Sequence, residues 1–132
     1  MNWINEKYNH IESFDPTKID ELVQLGNDIG EDVVSQLIDV HFETTEASIC
    51  EMEAGFKNSD VAKLKSTSHK LKSSCGTLGL NKLHSFCHDL ENYLSHDQAD
   101  TYLIKNYLDC IVNEYDKTKK QLETFRQTRK GA

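Results

Sequence analysis

The stretch Ser68-His69-Lys70-Leu71-Lys72-Ser73-Ser74-Cys75-Gly76-Thr77-Leu78-Gly79 decides how the chain is to be read. It has the period of one amphipathic helix. At about 100° per residue, His69 and Leu71 point roughly 160° apart. Leu64, Leu71, Cys75 and Leu78 make the apolar stripe, and the opposite face carries Ala62, Lys65, Ser66, His69, Lys72, Ser73 and Gly76. His69 therefore lies on the exposed face, with Lys65 and Lys72 one turn to either side and small residues elsewhere around it. On pattern alone, such a histidine reads as a solvated surface residue. It also reads as an accessible nucleophile with cations ready for a negative group and room for something to approach.

Working outward, the rest of the chain is helical as well. Asp15 is an N-cap with Pro16 at the first helical position, and Gly26 is the expected stop of a short helix over 16–25. A second helix is predicted from Glu31, with Val34, Leu37, His41, Thr45, Ser48, Met52 and Phe56 spaced by three or four, ending near Gly55 and Asn58-Ser59. Ser59 or Asp60 caps the helix that carries His69, and Gly79 stops it. Asn81 is the expected cap of a fourth helix with Leu83, Phe86, Cys87, Leu90 and Leu94 inward. Ser95 to Asp97 make the next break. Ile104, Leu108, Ile111, Tyr115, Leu122 and Phe125 line a long fifth helix, and Arg126 to Ala132 are expected to fray. Trp3, Tyr8 and Phe14 are expected to pack the leading segment onto the rest. No segment alternates like a strand. The prediction is an all-α protein: an antiparallel up-and-down four-helix bundle with a short additional N-terminal helix, forming one domain over 1–132 with its core at about 15–126.

Composition narrows the function. The chain has 132 residues, 37% hydrophobic, with six glycines and one proline, enough apolar content for a core and too few turn formers for a β-protein. The net charge is −7, made of −10 over residues 1–63 and +3 over 64–132. The acidic half argues against nucleic-acid binding, and the basic residues from Lys117 to Lys130 read as a solvated helix face. Met1 to His10 contain no apolar run, and no stretch approaches a membrane span, so a cytoplasmic protein without membrane contact is expected. Cys50, Cys75, Cys87 and Cys110 form no CxxC pair and read as buried free thiols. There is no GxxxxGK loop and no GxSxG elbow, hence no evident nucleotide site or serine nucleophile.

Two constellations remain. Around His69, Lys65 and Lys72 would oppose an imidazolium by like-charge repulsion and would stabilise phosphoryl oxygens after a transfer to the ring. The other ring nitrogen needs an acceptor to fix the tautomer. The second constellation is His84, His88 and Glu91 at i, i+4 and i+7. Two histidines four apart can chelate a metal, but no HExxH glutamate is present and no ligand set appears on a facing helix, so the flank reads as solvated and no metal is assigned.

The order of His69, Leu71, Lys72, Ser73, Ser74 and Gly79 resembles the signature of the histidine-containing phosphotransfer (HPt) domain family. There a histidine is followed by Leu two residues on, Lys three on, small residues at the next two positions and Gly ten on. The likeness continues through Leu83, Cys87, Leu90 and Glu91, and upstream through Asp15-Pro16, Ile19, Leu22 and Gly26. It spans nearly the whole chain, with low stringency outside 61–91. One departure is Ser73, where most members have Gly to give a partner close access.

The resemblance implies the same bundle fold. It further implies that His69 accepts a phosphoryl group from the phospho-aspartate of one receiver domain, that of a hybrid histidine kinase, and passes it to the receiver of a response regulator. Lys72 and Lys65 would stabilise the phosphoryl group, and Glu91 would orient the imidazole. Ser73 and Gly76 would leave room for the partner, and Gly79 would stop the helix. The protein would be a carrier rather than an autonomous enzyme, with no cofactor of its own and Mg²⁺ on the receiver. Ile19, Val23 and Val33 are candidates for an apolar docking patch.

Overall fold

Asp15 caps the helix that follows it: its carboxylate accepts from the Thr17 amide at 3.0 Å, and Pro16 takes the first helical position, where its missing N–H costs nothing. The computed structural model describes the backbone of residues 3–96 and 100–130 and the side chains of 6–96 and 100–128. Among these, six helices form: α1 Trp3–Tyr8, α2 Pro16–Ile29, α3 Val33–Lys57, α4 Val61–Leu78, α5 Asn81–Leu94 and α6 Thr101–Lys130. Asp32 and Asp60 cap α3 and α4 by accepting from Ser35 and Lys63 amides. The predicted break at Asp97 and the side chain of Trp3 lie outside the described residues.

The last four helices form a bundle with antiparallel neighbours. Partner numbers fall along one helix as they rise along the next: His41 reaches Ser74 while Glu51 reaches Thr67, and Asp39 pairs with Arg126 while Glu46 pairs with Lys119. Leu64, Leu71, Cys75 and Leu78 of α4 meet Leu83, Phe86, Cys87 and Leu90 of α5, together with Ile38 and Met52 of α3 and Ile111 and Leu122 of α6, all essentially fully buried. This continuous apolar core supplies most of the drive to fold.

Several expectations are corrected. Gly26 does not stop the first helix; α2 runs on to Ile29 and ends at Gly30, which adopts φ 73°. Gly26 is buried, and a Cβ there would strike the Glu31 carbonyl where the chain turns into α3. Its glycine serves close packing. α1 was not foreseen as a helix; Tyr8 anchors it, buried against Phe86 with its hydroxyl donating to Asp89. Asn81 opens α5 but does not cap it. Leu80 occupies the cap position, fully buried, because Gly79 at φ 68° already reverses the chain and points Leu80 inward. Arg126 does not fray, since its guanidinium pairs with Asp39 and lies over the Phe42 ring. Cys50 is exposed, whereas Cys75 and Cys87 are buried and burial pushes the Cys87 thiol well up, away from reactivity.

His41 is the unusual core residue. It is 2% exposed, its Nδ1 lies 3.3 Å from both Ser74 Oγ and Thr45 Oγ1, and Nε2 has no partner among the described residues. Burial lowers its pKa from 6.5 to about 4. Below pH 6.5 the unfolded chain gains a proton here that the native state refuses until about pH 4, so stability is full above 6.5 and falls towards 4. Urea unfolding should show about 2 kcal/mol lost through this group between pH 7 and pH 5. His41→Gln should flatten that part of the slope; an unchanged slope would show that His41 is not its source.

Candidate functional site

His69 sits in the middle of α4, and its side chain is 60% exposed. The buried stripe is wider than the apolar residues alone, since Thr67 and Ser68 are also inside, Ser68 donating to the Leu64 carbonyl at 2.8 Å and Thr67 to Glu51 at 3.3 Å. That still leaves His69, Lys65, Ser66, Ser73 and Gly76 outward.

Glu91 organises the site. It projects from α5, and one oxygen lies 2.7 Å from His69 Nδ1 while the other lies 2.8 Å from Lys72 Nζ. The Lys72 hydrogen bond, and after it that of His69, hold the Glu91 carboxyl below its ordinary range. An ionised carboxylate only accepts, so His69 Nδ1 must be the donor. In the neutral ring this leaves Nε2 with its lone pair, as a nucleophile needs.

The expected residues are brought together with one change of role. Lys72 is not a free surface cation: it is half-buried and paired with Glu91. The cause is geometric. Lys72 is one turn from His69, so both face the same residue of the antiparallel neighbour. Lys65 makes no ion pair among the described residues and lines a shallow hollow with Ala62, Ser66, His69, Lys70 and Glu91. Lys70 reaches the other way, to Glu51 at 3.3 Å, a pair the sequence reading missed. Ser73 Oγ donates back to the His69 carbonyl at 3.3 Å, so its hydroxyl lies along the helix. Gly76 is exposed, with nothing within 4 Å of where a Cβ would stand. Gly79 does stop the helix, and its missing side chain lets α2 approach: a Cβ would lie 2.8 Å from Lys18 Cβ, and its carbonyl accepts from the Asp15 amide at 2.8 Å. Glu91 is fully engaged and does not join His84 and His88, which stack on each other instead. Ile19 is buried in the core and Val23 and Val33 are half-buried; the exposed apolar residues of α2 are Leu25 and Ile29.

The Hpt domain profile matches residues 36–126, covering α4, α5 and most of α3 and α6. The chain belongs to the Hpt domain family. It is 27% identical over 93 residues to multistep phosphorelay regulator 1 of Schizosaccharomyces pombe (strain 972 / ATCC 24843), an alignment covering 70% of this chain and 32% of the relative. The chain thus spans about a third of that curated relative. Its fold is that of histidine-containing phosphotransfer protein B (HptB) from Pseudomonas aeruginosa PAO1, with a TM-score of 0.77 over 89% of this chain and 97% of that one, at 18% identity. Among the described residues no helix is long and apolar enough to cross a membrane.

Proposed function

We propose that His69 is the phosphoacceptor, taking the phosphoryl group from the phospho-aspartate of one receiver domain and handing it to the aspartate of another. The single observation that carries this reading is the Glu91 carboxylate shared between His69 Nδ1 and Lys72 Nζ. It supports a definite sequence of events. The Nε2 lone pair attacks phosphorus in line with the aspartyl P–O bond. The N–P bond forms, the P–O bond breaks, and its electron pair leaves on the aspartate carboxylate. No proton has to depart, because Nε2 carries none. The Nδ1 proton stays on its bond to Glu91, whose charge offsets the positive charge the ring acquires. Lys72, with Lys65 nearby, offers cations to the phosphoryl oxygens. The same path run backwards delivers the group to the second receiver. A hybrid histidine kinase and a response regulator would supply the two receivers, with Mg²⁺ on the receiver side, and this chain would act in the cytoplasm as a carrier, not as an autonomous enzyme.

Lys72→Ala tests the arrangement. Transfer from a phosphorylated receiver should slow roughly tenfold or more, as when one charge-stabilising donor is removed. The melting curve should shift by no more than about 1 kcal/mol, since the lost ion pair is only partly buried. Normal transfer with a large loss of stability would make Lys72 structural instead.

A further inference from the structure

His84 and His88 lie four residues apart on α5, so both project from one side of the helix, about one turn from each other. Their ring centroids are 6.4 Å apart and the ring planes lie within 4° of parallel. The pair opens onto a hollow whose other wall is the leading segment, with Tyr8, His10 and Ile11. Tyr8 fixes that wall, since it is buried against Phe86 and donates to Asp89 of α5. His10 is therefore held two residues from an anchored point. Periodicity alone puts two histidines on α5 and no ligand on a facing element. The fold supplies one, a third histidine across the hollow.

We propose that this hollow is a site for a divalent transition-metal ion of the zinc class, chelated by His84 and His88 and closed by His10 from the opposite wall. The site stands beside the phosphotransfer reading and does not depend on it. Imidazole suits zinc, copper and nickel, and two histidines one helical turn apart bind a single ion. With nitrogens at about 2.0–2.1 Å from a tetrahedral ion, two ring centroids lie roughly 5 Å apart. The pair at 6.4 Å is already close to that, and small rotations about the side-chain bonds bring both nitrogens onto one ion. Among the described residues no group of three ligands is assembled at metal-binding distance, so His10 has to swing in as the ion binds; its side chain is exposed and has room to do so. The local charges permit a cation. Lys7 and Asp89, which also line the hollow, pair with each other at 3.7 Å, and Lys72, whose charge reaches His84 from α4, is paired with Glu91 at 2.8 Å. Partial burial, then Lys72, then His88 hold His84 below the usual imidazole range, which keeps its lone pair available at neutral pH.

The test is calorimetric titration of zinc chloride into the tag-free full chain at pH 7.5. One ion should bind per chain. His84→Gln and His88→Gln should each weaken binding by about tenfold or more, since losing even an outer-shell partner of a metal costs that much. His10→Gln should weaken it as well, and His69→Gln should bind as wild type does. Zinc should also shift the ring-proton NMR signals of His10, His84 and His88 and leave those of buried His41 in place. No binding by the wild type, undiminished binding in the His84→Gln, His88→Gln double variant, or loss of binding in His69→Gln overturns the site. Undiminished binding in His10→Gln overturns the closure from the leading segment. None of these outcomes bears on phosphotransfer, which labelling of His69 by phosphoramidate reads separately.

Discussion

His69→Gln is expected to abolish labelling of the chain by a phosphorylated receiver and by phosphoramidate alike. The expectation follows from what the other histidines are doing. His41 is buried, with Nδ1 between two hydroxyls. His84 and His88 stack on each other, and among the described residues no carboxylate is hydrogen-bonded to either ring. His96 has its Nδ1 at 2.9 Å from the Asn92 carbonyl, at the end of α5. Among the described residues, only at His69 does an ionised carboxylate fix the Nδ1 proton, leave Nε2 as the free lone pair, and sit beside a lysine. Glutamine keeps a donor for Glu91 but offers no nucleophilic nitrogen. Because the side chain is 60% exposed, stability should change by no more than about 0.5 kcal/mol. The adduct on the wild type should be acid-labile and base-stable, as a P–N bond is. Persistent labelling of His69→Gln, or label mapped to His84 or His88, would refute the assignment.

How much of this was legible in the sequence differs between the two levels. The helices that carry the site were readable because both have an apolar stripe of the right period, and α4 has in addition Asp60 as a cap at one end and Gly79 as a stop at the other. What failed was local ambiguity in glycine and asparagine. Gly26 has the look of a helix stop, yet a glycine needed for close packing leaves the same trace in a sequence, and only the approach of Glu31 and Val33 tells the two apart. Asn81 has the look of a cap, but the αL turn at Gly79 had already satisfied the chain reversal. α1 was missed because six residues are too few for a periodic signal, and what holds it is a long-range bond from Tyr8 to Asp89.

At the site, exposure of His69 followed from its angle to Leu71. The Glu91 contact entered through family resemblance, and its double use did not enter at all. That Lys72 would spend its charge on Glu91 depends on which α5 residue lies opposite α4 in space, and helix periodicity alone does not give that register. The correction matters for mechanism. A lysine held at 2.8 Å by a carboxylate is already positioned before any phosphoryl group arrives, so less side-chain freedom is lost when it engages one.

Ser73 supplies the other large effect. Most members of the family this chain resembles have glycine here for a partner's approach, and the Ser73 hydroxyl turns back to the His69 carbonyl at 3.3 Å instead of standing off the helix, so serine should be tolerated. A branched side chain has no such option. Ser73→Leu should therefore abolish transfer from a receiver, since the receiver must bring an aspartate against the imidazole and a leucine one turn away holds it off. Gly76→Leu, placed in open space, should do the same while leaving the bundle folded, with helix stability slightly raised by about 0.5 to 1 kcal/mol. Phosphoramidate is small and should still label His69 in both variants at close to the wild-type rate. Equal loss with both donors would mean that the leucine disturbed the His69–Glu91 bond itself, and the Nδ1–H signal of His69 in a proton NMR spectrum would register that directly. Unimpaired transfer from the receiver would mean that the partner reaches Nε2 from the other flank, past Lys65, where Ala62 and Ser66 are the small residues.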